Sequence, residues 1–197
     1  STAAPRRSPP HSGWSFIWNV KQTRCCEGAP PVIRDVLQFP DRRLKTPAVA
    51  IVHIGPAARR LAADLQDTAR HYPRTVGLAA PQIGAPWRMI YVDCTDHPKV
   101  PDAAGPTWMI NPVVRAATGS VVGREGCLSL PEITANVARA SQITVDYLDV
   151  EGTACHIALA DFAARVVLHE IDHLDGVLIL DRVASLALDV FPRKRRS

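Results

Sequence analysis

The sequence predicts an α+β fold in which antiparallel sheets pack around a central helix carrying His169-Glu170-Ile171-Asp172-His173. Three observations carry that expectation. Strand-like and helix-like segments cluster along the chain and do not alternate regularly, which disfavours repeated βαβ crossovers. Gly152 sits between two strand-like runs as a hairpin turn would. A length of 197 residues suffices for one compact domain with a sizeable core, and not comfortably for two.

Residues 1–31 are broken up by prolines and hold no sustained period, so they are expected to form an irregular arm ahead of a domain spanning 32–190, with 191–197 as a basic tail. Ala57 to His71 places Leu61, Ala62, Leu65 and Ala69 on one side and charges on the other, as a core-facing helix requires. It stops before Pro73. A glycine-bounded loop, Gly77 to Gly84, leads into Trp87-Arg88-Met89-Ile90-Tyr91-Val92-Asp93, whose alternation and β-forming residues predict a strand. Further strands are expected at 107–112, 119–123, 142–150 and 153–159. Asp161 is the expected N-cap of a helix over 162–174 that ends before Asp175-Gly176, and a last short helix is expected over 181–189.

Composition narrows the partners. Hydrophobic residues make up 47% and charged residues 21%, and no run of about 18 apolar residues is available to span a membrane. The net charge of +4 is a property of the ends. Arg6, Arg7, Lys21 and Arg24 lie in an acid-free stretch, and Arg193-Lys194-Arg195-Arg196 form the tail; without those eight, 15 of the 23 basic residues face 19 acidic ones. The body is therefore no platform for a specific nucleic acid. The cysteines Cys25, Cys26, Cys94, Cys127 and Cys155 are odd in number and irregularly spaced, which points to free thiols in a reducing compartment. No secretory signal is visible, since Trp14-Ser15-Phe16-Ile17-Trp18 is too short and too aromatic for one; the basic, Ser- and Pro-rich start is closer to an organelle leader.

The chemistry is carried by His169 and His173. Four residues apart, two imidazoles share a helix face and can grip one metal ion, while Glu170 between them reaches a water on that metal; this is the HExxH arrangement of metal-dependent amide hydrolysis. Chance placement produces it in roughly 0.6% of chains of this composition, so two solvated helix histidines are the bland alternative. A third ligand is needed. Asp175 and Asp181 lie downstream, but Asp175 reads as a turn residue; Cys127 in Glu125-Gly126-Cys127-Leu128-Ser129 is the better candidate, because a thiolate is a strong, soft ligand and Gly126 lets the backbone come close. Taken alone, Cys127 would be a small buried hydrophobe.

Three segments together, Gly77-Leu78-Ala79-Ala80-Pro81-Gln82-Ile83-Gly84, Glu125-Gly126-Cys127-Leu128-Ser129 and His169-Glu170-Ile171-Asp172-His173-Leu174-Asp175-Gly176, resemble the three motifs of peptide deformylase, in that family's order. The resemblance covers about Val32 to Val190. It implies a metal-dependent hydrolase that removes the formyl group from the formyl-methionine of nascent chains and releases formate. It assigns Cys127, His169 and His173 to the metal, natively Fe(II), with Zn, Ni or Co in substituted preparations. Glu170 is the implied proton shuttle, and the Leu128 backbone N–H and the Gln82 amide are the implied oxyanion donors. Phe162 and Val166 precede His169 by seven and three positions and share its face; with Val76, Gly77 and Gly126 they are the expected methionine pocket. Glu125 and Arg139 are expected to pair and brace the metal loop.

The chain departs from the family pattern at Thr75, where a glycine is common, and at Thr134, where some bacterial members carry an arginine near later substrate residues. Implied partners are formyl-Met nascent polypeptides, with transient ribosome contact. The implied location is the bacterial cytoplasm, the alternative a mitochondrion or plastid. Two rivals remain open: a zincin-type metallo-endopeptidase with a downstream third ligand, and a catalytically silent peptide-binding protein on the same fold.

Overall fold

A computed structural model describes residues 31–103 and 105–193; the predicted arm lies almost wholly outside the described residues. In chain order the elements are α1 (Pro56–His71), β1 (Gly77–Ala79), β2 (Met89–Val92), β3 (Thr107–Thr118), β4 (Val121–Cys127), β5 (Leu130–Arg139), β6 (Gln142–Leu148), β7 (Ala154–Ala160), α2 (Asp161–Leu174), α3 (Ile179–Arg182), α4 (Leu186–Asp189) and β8 (Val190–Pro192). The strands form two antiparallel sheets, one in the order β1-β2-β3-β6-β7 and the other β4-β5-β8.

The apolar run of β2 explains how the larger sheet is covered. Met89 and Tyr91 point into a cluster with Ala62, Leu65 and Ala69 of α1, whereas Ile90 and Val92 point into one with Ala164, Val167 and Ile171 of α2. Both faces are buried, so successive residues can all be apolar. Pro56 opens α1 at a position where a missing N–H costs nothing, and Trp108 donates its indole N–H to the Ala62 carbonyl at 2.8 Å, tying the helix to β3. A third cluster joins the smaller sheet to α3, with Ala135, Val137, Leu178, Ile179, Leu44 and Cys127.

Several sequence expectations change. The predicted loop 77–84 contains β1 and a 3-10 turn, Ala80–Ile83. Its glycine stop is accurate, since Gly84 sits at φ 78°. Asp161 does not cap α2: Ala160 holds the cap position without a side-chain bond, and Asp161 adopts φ 50° as the chain turns out of β7. Its N–H is taken instead by the Ser141 carbonyl at 2.7 Å. The predicted helix 181–189 is two single turns, α3 and α4. β5 was not expected at all. β8 carries ordered pairing with β5 through Pro192, two residues past the predicted boundary at 190. The 152 hairpin forms as predicted, with Gly152 at φ 87° between β6 and β7.

Candidate metal centre

β4 and α2 build the centre. The β4–β5 register shifts between Gly126 and Cys127, and the chain then turns back so that Leu130 pairs with Cys127. This local irregularity aims the buried thiol at α2. One helical turn apart, His169 and His173 present their rings to it; Cys127 Sγ lies 3.1 Å from His173 Nε2. The ligand atoms of Cys127, His169 and His173 all fall within 4.8 Å of one another, and this is the group among the described residues arranged to hold a metal. Asp175 and Asp181 are engaged elsewhere, in ion pairs with Arg88 at 2.7 Å and Lys45 at 2.6 Å.

Electrostatics prepare the ligands. Burial alone would push the Cys127 thiol up, but the neighbouring His173 and His169 rings hold it well below its ordinary value, favouring the thiolate that binds metal. Burial would likewise lower His169, yet its hydrogen bonds to Cys127 and Glu125 carry it well above the usual imidazole range. Glu125 Oε2 meets His169 Nδ1 at 2.9 Å, so that nitrogen is occupied and Nε2 is the one presented to the thiol. Glu125 in turn takes two bonds from Arg139, at 2.9 and 3.0 Å, and one from Arg165 at 2.8 Å. Although burial opposes it, the hydrogen bonds and charge of His169 and then Arg139 hold the Glu125 carboxyl down to about 2.

Glu170 is treated in the opposite way. Burial pushes its carboxyl up to about 7, partly offset by the two histidines. Its Oε2 is buried without a hydrogen-bond partner, as is His173 Nδ1. An unpartnered buried carboxylate oxygen is costly and marks a place where a polar ligand belongs. A thiolate and two imidazoles, with a carboxylate beside them, fit one divalent transition metal with a coordination position left open. A cavity of about 470 Å³ opens onto this group. Val76, Gly77, Gly126, Phe162 and Val166, the five residues expected to form a pocket, all line it, together with Gln82, Leu128 and Thr134. Gly77 has a specific reason to lack a side chain: a Cβ there would lie 2.5 Å from Glu170 Oε1.

Gln82 is brought in by the 3-10 turn. Its Oε1 accepts from the Ala79 N–H at 2.9 Å, and its Nε2 lies 3.5 Å from Cys127 Sγ and 3.2 Å from Ser129 Oγ. The Glu125–Arg139 pair forms as expected, and it belongs to a larger network that sequence reasoning missed. Asp172, inside the helix motif, receives Arg139 Nη1 at 2.5 Å and Arg182 Nη2 at 2.6 Å. Arg165 was legible in principle, being one turn before His169 on the same helix; Ser129 stood in the motif around Cys127 without an assigned role, and Arg182 carried no sequence signal.

The comparisons agree with this geometry. The family described as polypeptide deformylase matches residues 33–188. A peptide deformylase of Thermomicrobium roseum is 40% identical over 152 residues, covering 77% of this chain and 86% of that protein. One of Nitrosococcus oceani is 36% identical over 154 residues, covering 78% and 89%. Among solved structures, peptide deformylase of Thermotoga maritima superposes with a TM-score of 0.71 at 34% identity, covering 78% of this chain and 99% of that one. An Acinetobacter baumannii peptide deformylase bound to Met-Ala-Ser gives 0.72 at 31% identity, covering 78% and 100%. With its family match spanning most of its length and its relatives covered nearly end to end, this chain belongs to the polypeptide deformylase family.

Proposed function

We propose that this protein is a peptide deformylase, a metal-dependent hydrolase that removes the N-terminal formyl group from formyl-methionyl nascent chains and releases formate. The observation that carries the reading is the buried group of Cys127, His169 and His173, with its ligand atoms within 4.8 Å, next to the unpartnered Glu170 carboxylate. Those three residues would hold the metal. Bound there, it would supply Lewis acidity to a water and to the formyl carbonyl. A thiolate with two imidazoles suits Fe(II), the proposed native metal, and also accepts Zn, Ni or Co.

The chain's own residues divide the rest of the work. Glu170, poised near neutrality, can take a proton from the attacking water and return it to the departing amine. The Gln82 amide and the Leu128 backbone N–H serve as donors to the oxygen that becomes negative, and one such donor can contribute about 3–4 kcal/mol. Gln82 Nε2 would turn from Ser129 to do so. Phe162, Val166, Val76, Gly77 and Gly126 receive the methionine side chain, for which apolar surface is a good match and a charged one a poor match. Residues 32–190 are the proposed catalytic domain. The proposed setting is the bacterial cytoplasm with transient contact to ribosomes, and free Cys94, Cys127 and Cys155 are in keeping with a reducing compartment.

A direct test is product analysis on a formyl-Met tripeptide and its unformylated twin, with protein purified without oxygen. Formate and an intact tripeptide are the expected products. Cleavage of internal bonds in the unformylated peptide would establish the endopeptidase reading instead.

A further inference from the structure

The wall of the cavity beside Gly126 carries more positive charge than the chain neutralises. Arg124 of β4 and Arg193, just after β8, both line the cavity and both are exposed. Arg124 Nη1 reaches Thr134 Oγ1 at 3.3 Å, and its guanidinium lies 3.5 Å from the centre of the Phe191 ring, which stacking holds in place. Phe191 is the strand partner of Thr134, and Thr134 the partner of Gly126, so three strands meet at this spot. The Arg193 N–H donates to the Glu132 carbonyl at 2.8 Å, fixing where its side chain starts. Its guanidinium then crosses over Gly126 into space that any Cβ there would fill. Glycine at 126 is what admits it.

Neither guanidinium has a carboxylate partner among the described residues; Arg74, which also lines the cavity from the loop before β1, has none either, whereas Glu125 and Arg165 are committed to each other and to their neighbours. Glu125 is taken by Arg139, Arg165 and His169, and Arg165 also donates to the Val137 carbonyl at 2.8 Å. Glu170 is buried at the metal group. Two guanidiniums that line one binding cavity, one stacked on Phe191 and the other crossing Gly126, and that lack an anion are a carboxylate-binding arrangement.

We infer that Arg124 and Arg193 form an anion subsite that selects formyl-Met peptides carrying an acidic side chain within the first few residues after the methionine. This rests on the deformylase reading above. With the formyl end at Cys127, His169 and His173 and the methionine against Phe162 and Val166, Gly126 is one residue from the metal ligand Cys127, and a strand residue spans roughly 3.3 Å, so the next residues of the substrate fall beside the arginine pair.

The test compares formyl-Met-Ala-Asp-Ala-amide with formyl-Met-Ala-Asn-Ala-amide on the metal-loaded enzyme; the amide removes the terminal carboxylate, so the aspartate side chain is the one difference in charge. The expected result is a kcat/KM about fivefold higher for the Asp peptide, carried by KM and shrinking as salt is raised. In the Arg124→Gln/Arg193→Gln variant the ratio falls to about one, and in Arg193→Glu a Lys peptide overtakes the Asp peptide. Equal kcat/KM for the two peptides in the unaltered enzyme, or a preference that survives the double substitution, overturns the subsite and leaves deformylation standing. Absence of formate from both peptides overturns the activity itself and the subsite with it.

Discussion

Glu170 and Gly77 work as a pair at the residue scale. The carboxylate lies where a Cβ at position 77 would stand, so the glycine and the acid are fixed by the same few ångströms. Gly77→Ala should retain bound metal yet lose activity by about tenfold or more, because the carboxylate must shift, and displacements of an ångström can be that costly. Equal turnover in Gly77→Ala would show that the carboxylate's place is not critical. Glu170→Gln should also keep its metal, since Glu170 is not a proposed ligand, and lose at least about two orders of magnitude in rate; metal loss in that variant would make Glu170 a ligand instead. His169, Glu170 and His173 were legible in sequence because HExxH sets particular residue types at fixed spacing, and Cys127 became legible as a ligand through its resemblance to a family motif. The roles of Asp172 and Arg182 were not. Their meaning comes from each other, across 10 positions of chain, and from a buried arginine on a different element, Arg139.

At the scale of elements, β5 is the instructive failure. Its inward residues are Ala135, Val137 and Arg139, so an alternating pattern that begins apolar ends on an arginine, and Pro131 and Asn136 interrupt it further. Arg139 is buried because Glu125 and Asp172 meet it there, a fact of tertiary structure that no local pattern contains. Strand β2 was easier, since burial on both faces leaves a plain apolar run. The Asp161 cap failed because its neighbours fit the pattern but the chain enters α2 through a left-handed residue. The Glu125 network has a pH signature. Its carboxyl lies at about 2 when folded against an ordinary 4.5, so it contributes stability that is fully present above about pH 4.5 and is lost as pH falls toward 2. Glu125→Gln should therefore start less stable near neutrality and change less across that window, as read by denaturant midpoints on metal-free protein. Parallel curves for the two proteins would mean that Glu125 carries no such linkage.

For the whole molecule, α1 and α2 cover opposite faces of the larger sheet, and the smaller sheet closes against α3 while delivering Cys127 to α2. The site thus draws on both sheets and a helix, and no fragment of this body should retain it. Residues 1–31, which carry none of the motif residues, should be dispensable: a chain starting at Val32 should turn over short peptides within about twofold of the full chain and keep its melting temperature. A large drop in either would mean that the segment docks on the body. The α+β class and the antiparallel pairing followed from clustered strand signals, whereas the division into two sheets did not, because sheet membership is set by long-range pairing. The central claim is that one metal held by Cys127, His169 and His173 makes this chain a deformylase. Its most direct test is titration of metal-free protein with Fe(II) under anaerobic conditions while formate release from a formyl-Met peptide is followed. The rate should rise linearly and level off at one metal per chain, and Cys127→Ser should show neither the tight binding nor the rise. Formate release that is independent of added metal, or full activity in Cys127→Ser, would contradict it.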